Sequence, residues 1–139
     1  MKKTPITKVM SADLTTIQRG QRLSEAYEIF QHAPFHHLPV LDGGSPVGVL
    51  SSNDILRLAY DIDGTDDRTL GAFLDGQFTI DDAMTPSPSS LPDSATVKDA
   101  AEVLSDGAIH SVIVLQQSGA IAGIVTTTDL AQFLLDQFR

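Results

Sequence analysis

Apolar residues in the first half of the chain follow two spacings, which predict a helix, a hairpin and a second helix. Helical spacing of the apolar positions predicts a helix over 23–31. Two runs rich in apolar and β-branched residues, 37–41 and 47–51, are separated by a Gly-Gly turn and predict a β-hairpin. A further helix is predicted over 54–60. This order indicates a mixed α/β unit.

The second half of the chain repeats the same pattern. It predicts a helix over 97–105, hairpin strands over 111–115 and 121–126, and a last helix over 129–138. Matching positions keep their order in both halves, for example His36 and His110, Val40 and Val114, Asp54 and Asp129. Because the register persists over so many positions, the sequence indicates two copies of one unit.

Both copies begin and end in the same way. A short amphipathic segment ends at Met10 in the first copy and at Met84 in the second, and a short extended stretch follows, over 14–17 or 89–91. Helix-capping residue types stand near the predicted helix starts: Ser24 and Thr96 for the first helix of each copy, and Asn53 or Asp54 and Thr128 or Asp129 for the last.

Composition narrows the classes of function. The chain has 139 residues, 42% of them apolar, which suits one compact domain or two small units. Cysteine is absent, which excludes thiol chemistry and disulfides. A net charge of −9 argues against nucleic-acid binding, and no apolar run is long enough for a membrane span. We expect a cytoplasmic protein without nucleic-acid or membrane partners.

The connection between the copies is acidic. Its DxDGxDD stretch, residues 61–67, is similar to a calcium loop, but position 72 is Ala where an EF-hand needs glutamate. We therefore interpret 63–79 as a solvated acidic linker that includes a short helix over 70–74.

The repeat resembles the CBS domain, and the whole chain resembles a tandem CBS pair, or Bateman module. The segments that carry the resemblance are His36–Asp42 and Gly48–Ile55 in the first copy, and 110–114 and 123–130 in the second. The second copy departs from the family pattern at Ile113, where proline is usual.

The resemblance implies a fold and a function. The fold is α/β (α+β), with two β-α-β-β-α units, each preceded by a short helix, packed about a pseudo-twofold axis; the domains are 1–62 and 80–139. The implied function is that of a stand-alone, non-catalytic regulatory module, a homodimer that binds AMP, ADP, ATP or S-adenosylmethionine and acts on a partner protein. No required cofactor is expected. The alternative is a ligand-free dimerisation scaffold.

The candidate ligand-binding residues lie where each hairpin meets the following helix. A carboxylate can accept hydrogen bonds from both ribose hydroxyls, which is the role predicted for Asp54 and Asp129; a purely capping role is the alternative. Hydroxyl and amide groups beside a helix start can hold phosphate oxygens, with local turn and cap bonding as the alternative. Apolar strand residues can flank an adenine ring, with plain core packing as the alternative. The residues predicted to hold phosphate oxygens are Ser51, Asn53, Thr126 and Thr128. The strand residues predicted to flank adenine are Val47, Val49, Ala122 and Ile124.

Three histidines complete the prediction. His36, His37 and His110 stand where related proteins place Arg or His against phosphates. Since imidazole is a weaker phosphate clamp than guanidinium, we expect monophosphates or nucleosides to bind better than triphosphates. The spacing of His32 and His36 also suits a metal on one helical face, but Pro34 between them disfavours a continuous helix, so no metal site is predicted.

Overall fold

The computed structural model describes residues 2–59 and 66–139, which form two compact units. One unit is Thr15–Ser87. The other combines Met1–Leu14 with Pro88–Arg139. The segment that leads into the first copy therefore belongs to the unit that contains the second copy's hairpin. The segment that leads into the second copy belongs to the unit Thr15–Ser87. The predicted boundary between 62 and 63 lies outside the described residues.

The described residues of the unit Thr15–Ser87 form a four-stranded sheet and four helices. Its strands are β1 (Ile17–Gln18), β2 (His37–Asp42), β3 (Ser45–Ser51) and β4 (Thr85–Pro86), in that spatial order. Its helices are α1 (Leu23–His32), α2 (Ser52–Leu58), α3 (Asp67–Gln77) and α4 (Ile80–Ala83). β1 runs parallel to β2, and the other neighbours are antiparallel.

The discontinuous unit repeats this arrangement with a three-stranded sheet. Its strands are β5 (Ser90–Pro92), β6 (Ser111–Leu115) and β7 (Ile121–Thr126), and its helices are α5 (Val97–Leu104) and α6 (Thr127–Asp136). A short 3-10 helix, Ile6–Lys8, joins this unit through the fully buried side chain of Ile6 and a hydrogen bond from its N–H to the carbonyl of Ala95, at 2.9 Å. Each copy thus has the predicted β-α-β-β-α order.

One face of each sheet packs on its helices to form a core. In the continuous unit the core centres on residues with no exposed surface, among them Leu38, Val40 and Leu50. In the other unit Val112, Val114 and Val125 have the matching role. Because neighbouring residues of a strand point to opposite faces, the residues between these positions point away from the helices.

The helix starts differ from the prediction. α2 begins at Ser52 and α6 at Thr127, both earlier than expected, because Ser51 and Thr126 are the N-caps. Asp54 and Asp129 are at the third helical position instead. Thr96 caps α5 as predicted, but Ser24 does not cap α1, whose N-cap, Arg22, makes no side-chain cap hydrogen bond.

The described part of the linker is more ordered than a solvated connection. Asp66 caps α3, whose length exceeds the predicted 70–74, and Leu74 is fully buried against α1. Asp61, Asp63 and Gly64 of the calcium-like stretch lie outside the described residues.

Candidate functional site

Each hairpin ends in a capping box that joins its last strand to the next helix. In the first copy the hydroxyl of Ser51 accepts a hydrogen bond from the N–H of Asp54 at 3.1 Å, and the Asp54 carboxylate accepts from the N–H of Ser51 at 2.7 Å. In the second copy Thr126 and Asp129 exchange the same bonds, at 3.4 and 2.8 Å. These reciprocal bonds fix both aspartates in the first helical turn, next to the ends of β3 and β7.

The capping bonds do not use the full capacity of either carboxylate. A carboxylate offers about four acceptor positions. Asp129 uses one oxygen for the N–H and the hydroxyl of Thr126. Capping and ligand binding are therefore compatible in hydrogen-bonding terms.

The two aspartates differ in burial and in their charged neighbours. Asp54 is only 6% exposed and pairs with the guanidinium of Arg57, whereas Asp129 is half-buried. The corresponding position in the second copy is Gln132, which donates to Asp136 at 2.9 Å. Sequence reasoning missed Arg57, although its i,i+3 spacing from Asp54 on a predicted helix was a usable signal.

The sheet register brings part of the predicted set together. His37 is paired with Ser51 across β2 and β3, so both side chains project from one face, which they share with Val49. Ser111 and Thr126 are the matching pair in the second copy. This face is opposite to the helix-packed core, and Val49 and Ile124 are buried there without belonging to the core clusters.

The remaining predicted residues take different positions. Val47 and Ala122 pack against the core clusters of their units, as plain core residues do. The exposed residues are Asn53, Thr128, His36 and His110. The carbonyl of His36 accepts a hydrogen bond from the N–H of Ser52 at 3.0 Å, which places this histidine at the start of α2.

The histidine pair considered for metal binding is not on one helical face. α1 ends at His32, and Ala33, before Pro34, has an extended backbone. Within residues 2–59 and 66–139, no cluster of three or more His, Asp or Glu side chains has a metal-binding arrangement.

A cleft of about 530 Å³ lies elsewhere, between α1 and α3, and its lining includes Arg22, Tyr27 and Asp75. None of the predicted site residues lines it. Its polar groups bond to each other: the hydroxyl of Tyr27 donates to Asp67 at 2.8 Å, which raises the pKa of Tyr27.

No helix within the described ranges is long and apolar enough to cross a membrane.

The CBS domain family model matches the chain twice, over residues 6–61 and 80–136. A CBS domain-containing protein of Dictyostelium discoideum is 28% identical over 138 residues, covering 96% of this chain and 92% of that protein. A homoserine O-acetyltransferase of Methanocorpusculum labreanum is 31% identical over 71 residues, which is 48% of this chain but only 15% of the acetyltransferase.

Two solved structures match over almost their whole length. CBSX2 in complex with AMP is 26% identical, with a TM-score of 0.78 and coverage of 98% of this chain and 99% of CBSX2, which is an Arabidopsis thaliana CBS-pair protein. The CBS domain pair of protein MJ0100, in complex with 5′-methylthioadenosine and S-adenosyl-L-methionine, is 23% identical, with a TM-score of 0.79 and coverage of 96% and 98%. Since the family model covers most of the chain in two consecutive copies, this chain belongs to the CBS domain family and is a tandem CBS pair.

Proposed function

We propose that this chain is a regulatory module that binds an adenosine compound: AMP, ADP, ATP or S-adenosylmethionine. The AMP complex of CBSX2 supports this class of ligand because that protein is similar over its whole length. The MJ0100 complexes extend the class to sulfur-containing adenosine compounds. The module has no catalytic role and transmits the ligand signal to a partner protein.

The duplicated capping box is the observation that carries the proposal. It holds Asp54 and Asp129 in matching positions, each in the first turn of a helix and bonded to the hydroxyl-bearing cap that ends a strand. In the proposed complex each carboxylate accepts hydrogen bonds from a ribose diol, as charge-assisted bonds. We call the surroundings of Asp54 the first half-site and those of Asp129 the second half-site.

The other predicted residues contribute at the edges of these half-sites. Ser51, Asn53, Thr126 and Thr128 offer donors to phosphate or ribose oxygens. Val49 and Ile124 have the geometry of an apolar wall for adenine, because they share a sheet face with the cap residues. Val47 and Ala122 act through packing. His36, His37 and His110 supply further donors for a phosphate.

A signal requires that the ligand bind two states of the module with different affinity. The proposed assembly is a homodimer, with the exposed apolar residues at the end of the chain as the contact surface: Leu134, Leu135 and Phe138.

Thermal unfolding with a panel of ligands tests the proposal. A ligand present at 100 times its dissociation constant adds about 2.7 kcal/mol to the free energy of unfolding, which is a measurable shift. The panel contains AMP, ADP, ATP, S-adenosylmethionine, NAD and GTP, with Asp54→Ala and Asp129→Ala as variants. We expect adenosine compounds to stabilise the wild type, and each variant to lose the part contributed by its own half-site.

Asp99→Ala is the matched control. Asp99 completes a capping box with Thr96 on α5, with the same bonds but outside both half-sites. This variant loses a helix cap and should keep the full ligand-induced shift. Equal loss of the shift in all three variants would mean that the aspartates act through fold stability alone.

A ligand-free scaffold is the second candidate. The bonds already made by Asp54, which is buried and paired with both Ser51 and Arg57, favour it. This candidate predicts no stabilisation by any member of the panel.

A further inference from the structure

The two half-sites differ in charge, and the difference arises at two matching positions. Arg57 beside Asp54 corresponds to Gln132 in the second copy, and His37 opposite Ser51 corresponds to Ser111 opposite Thr126. Arg57 adds a positive charge to the first half-site, and His37 adds an imidazole where the second copy has a hydroxyl. Because the register is the same in both copies, they concern equivalent places in the fold.

The positive charge of Arg57 offsets the negative charge of Asp54 in the first half-site. Arg57 also has N–H donors that this ion pair does not use. Its side chain is 74% exposed, while the Asp54 side chain that it contacts is 7% exposed. A guanidinium has five N–H donors in a planar fork, so a pair with one carboxylate leaves donors for a second anion. An anionic group that approaches Asp54 is therefore repelled less, because Arg57 offsets the carboxylate charge, and it can accept a hydrogen bond from Arg57.

Among residues 2–59 and 66–139, no matching ion pair compensates the aspartate of the second half-site. The side-chain amide of Gln132 is turned to Asp136, and Asp129 is bonded to the neutral Thr126. A phosphate placed near Asp129 meets a carboxylate of like charge. At a separation of a few ångströms this repulsion between like charges is enough to discriminate between ligands.

We propose that Arg57 determines ligand class: the first half-site takes phosphorylated adenosine compounds such as AMP, and the second takes neutral or cationic ones such as adenosine and S-adenosylmethionine. This inference rests on the proposed function, since it divides the adenosine ligands between the two half-sites. Arg57 acts as a specificity-determining residue that touches Asp54 and offers its remaining donors to the phosphate.

Calorimetric titration of AMP and adenosine tests the assignment. The Asp129→Ala variant reports on the first half-site, and the double variant Asp54→Ala with Arg57→Gln reports on the second. We expect AMP to bind better than adenosine in the former and adenosine to bind better than AMP in the latter. Equal preference in the two variants, or loss of all AMP binding in Asp129→Ala, overturns the assignment.

Substitution of Arg57 isolates its role. In the Asp129→Ala background, Arg57→Gln should weaken AMP binding about tenfold, the size of one charge-assisted hydrogen bond, and change adenosine binding by less than about twofold. Arg57→Lys keeps the charge and should retain most of the AMP affinity. Arg22→Gln removes the same charge from an exposed position at the start of α1 and should change neither ligand.

The outcomes separate this inference from the proposed function. If wild-type protein binds adenosine compounds but Arg57→Gln weakens AMP and adenosine equally, or weakens neither, Arg57 does not set ligand class and the proposed function stands. If wild-type protein binds none of these compounds, both proposals are wrong.

Discussion

The carboxylate of Asp75 accepts two hydrogen bonds from Ser24, one from the backbone N–H at 2.9 Å and one from the hydroxyl at 2.6 Å. Ser24 is in the first turn of α1, whose N-cap residue, Arg22, leaves the helix start without a side-chain cap. Asp75 belongs to α3, which lies in the sequence that connects the two copies. This helix supplies the hydrogen-bond acceptor that the residues at the start of α1 do not provide. This contact fixes α3 on α1.

Asp75→Ala should therefore lower the free energy of unfolding by about 1–3 kcal/mol, the typical cost of leaving partly buried donors without an acceptor. Urea denaturation measures the loss. Ser24→Ala removes only the hydroxyl donor and should cost less. If the contact is direct, the double variant is more stable than the sum of the two losses predicts; additive losses would show that Asp75 acts on some other contact.

The Ser24–Asp75 contact shows which features of the fold could be predicted from the sequence and which could not. Helical spacing and the hairpin turns predicted both copies and most limits of the hairpin strands, because those signals are local, but β4 was not predicted and β1 and β5 are displaced from the predicted stretches. Ser24 was predicted as a cap because serine caps helices, but its actual partner is distant in sequence. Capping residues of α2 and α6 were misplaced since Ser51 and Asp54 both suit a helix start, and only backbone geometry decides which one is the cap.

The candidate site was predictable to a similar degree. Asp54 and Asp129 follow from the repeat, and the structure places them in equivalent capping boxes. The burial of Asp54 does not follow from the repeat, because it depends on tertiary packing, whereas its pairing with Arg57 is a local i,i+3 contact that the sequence could have indicated. Their ligand-binding role stays a prediction.

Gly48 and Gly123 are in close contact with a methionine in each unit, and alanine at either position should destabilise the protein. A Cβ on Gly48 would lie 2.5 Å from the sulfur of Met84, and a Cβ on Gly123 would lie 2.7 Å from the sulfur of Met10. A backbone carbonyl oxygen lies 2.8 Å from each position as well, so rearrangement of the methionine alone cannot relieve the clash. We expect each variant to lose about 1–3 kcal/mol, measured by urea denaturation.

Gly76→Ala is the control for these glycine variants. Gly76 is within α3, and a Cβ added there would have no neighbouring atom within 4 Å, so alanine should raise stability by about 0.5–1 kcal/mol through helix propensity. Similar losses for all three variants would contradict the steric explanation.

The stability of α5 should depend on pH through Asp99. Hydrogen bonds from Thr96, above all from its backbone N–H, lower the pKa of Asp99 from its ordinary value of 3.8. Because the folded state favours the ionised form, the stabilisation is complete above the ordinary value and is lost as the pH falls through the lowered one. Asp99→Asn should be less stable than wild type at pH 7, and the difference should shrink below about pH 4.

Urea denaturation at a series of pH values measures this effect. Asp93→Asn removes the same charge from the exposed loop before α5 and serves as the control. A stability difference between Asp99→Asn and wild type that stays constant from neutral to acidic pH would show that the carboxylate contributes through packing only.

The proposed homodimer should depend on the exposed apolar residues of α6 and the chain that follows it. Leu134 is 54% exposed and Phe138 is 79% exposed, so each leaves apolar surface available for a partner. The double variant Leu134→Ser and Phe138→Ser should sediment as a monomer at concentrations where the wild type is a dimer. Ala131→Ser, at an exposed position of the same helix, should not change sedimentation.

A wild-type protein that is monomeric at all accessible concentrations would contradict the homodimer proposal. A double variant that stays dimeric would instead place the contact on another surface.

The exchange of leading segments between the copies has a consequence for synthesis on the ribosome. Every residue of the unit Thr15–Ser87 is available once Ser87 has left the exit tunnel, so this unit can fold while translation continues. The segment 2–14 emerges before this unit, but Ser11 must wait for Ile124, with which it forms a bridge, and Pro5 must wait for Thr96. This leading segment is thus translated before the unit Thr15–Ser87 but reaches its native contacts after that unit can fold, and nascent chains halted before β5 should carry one folded unit and an unpaired leading segment.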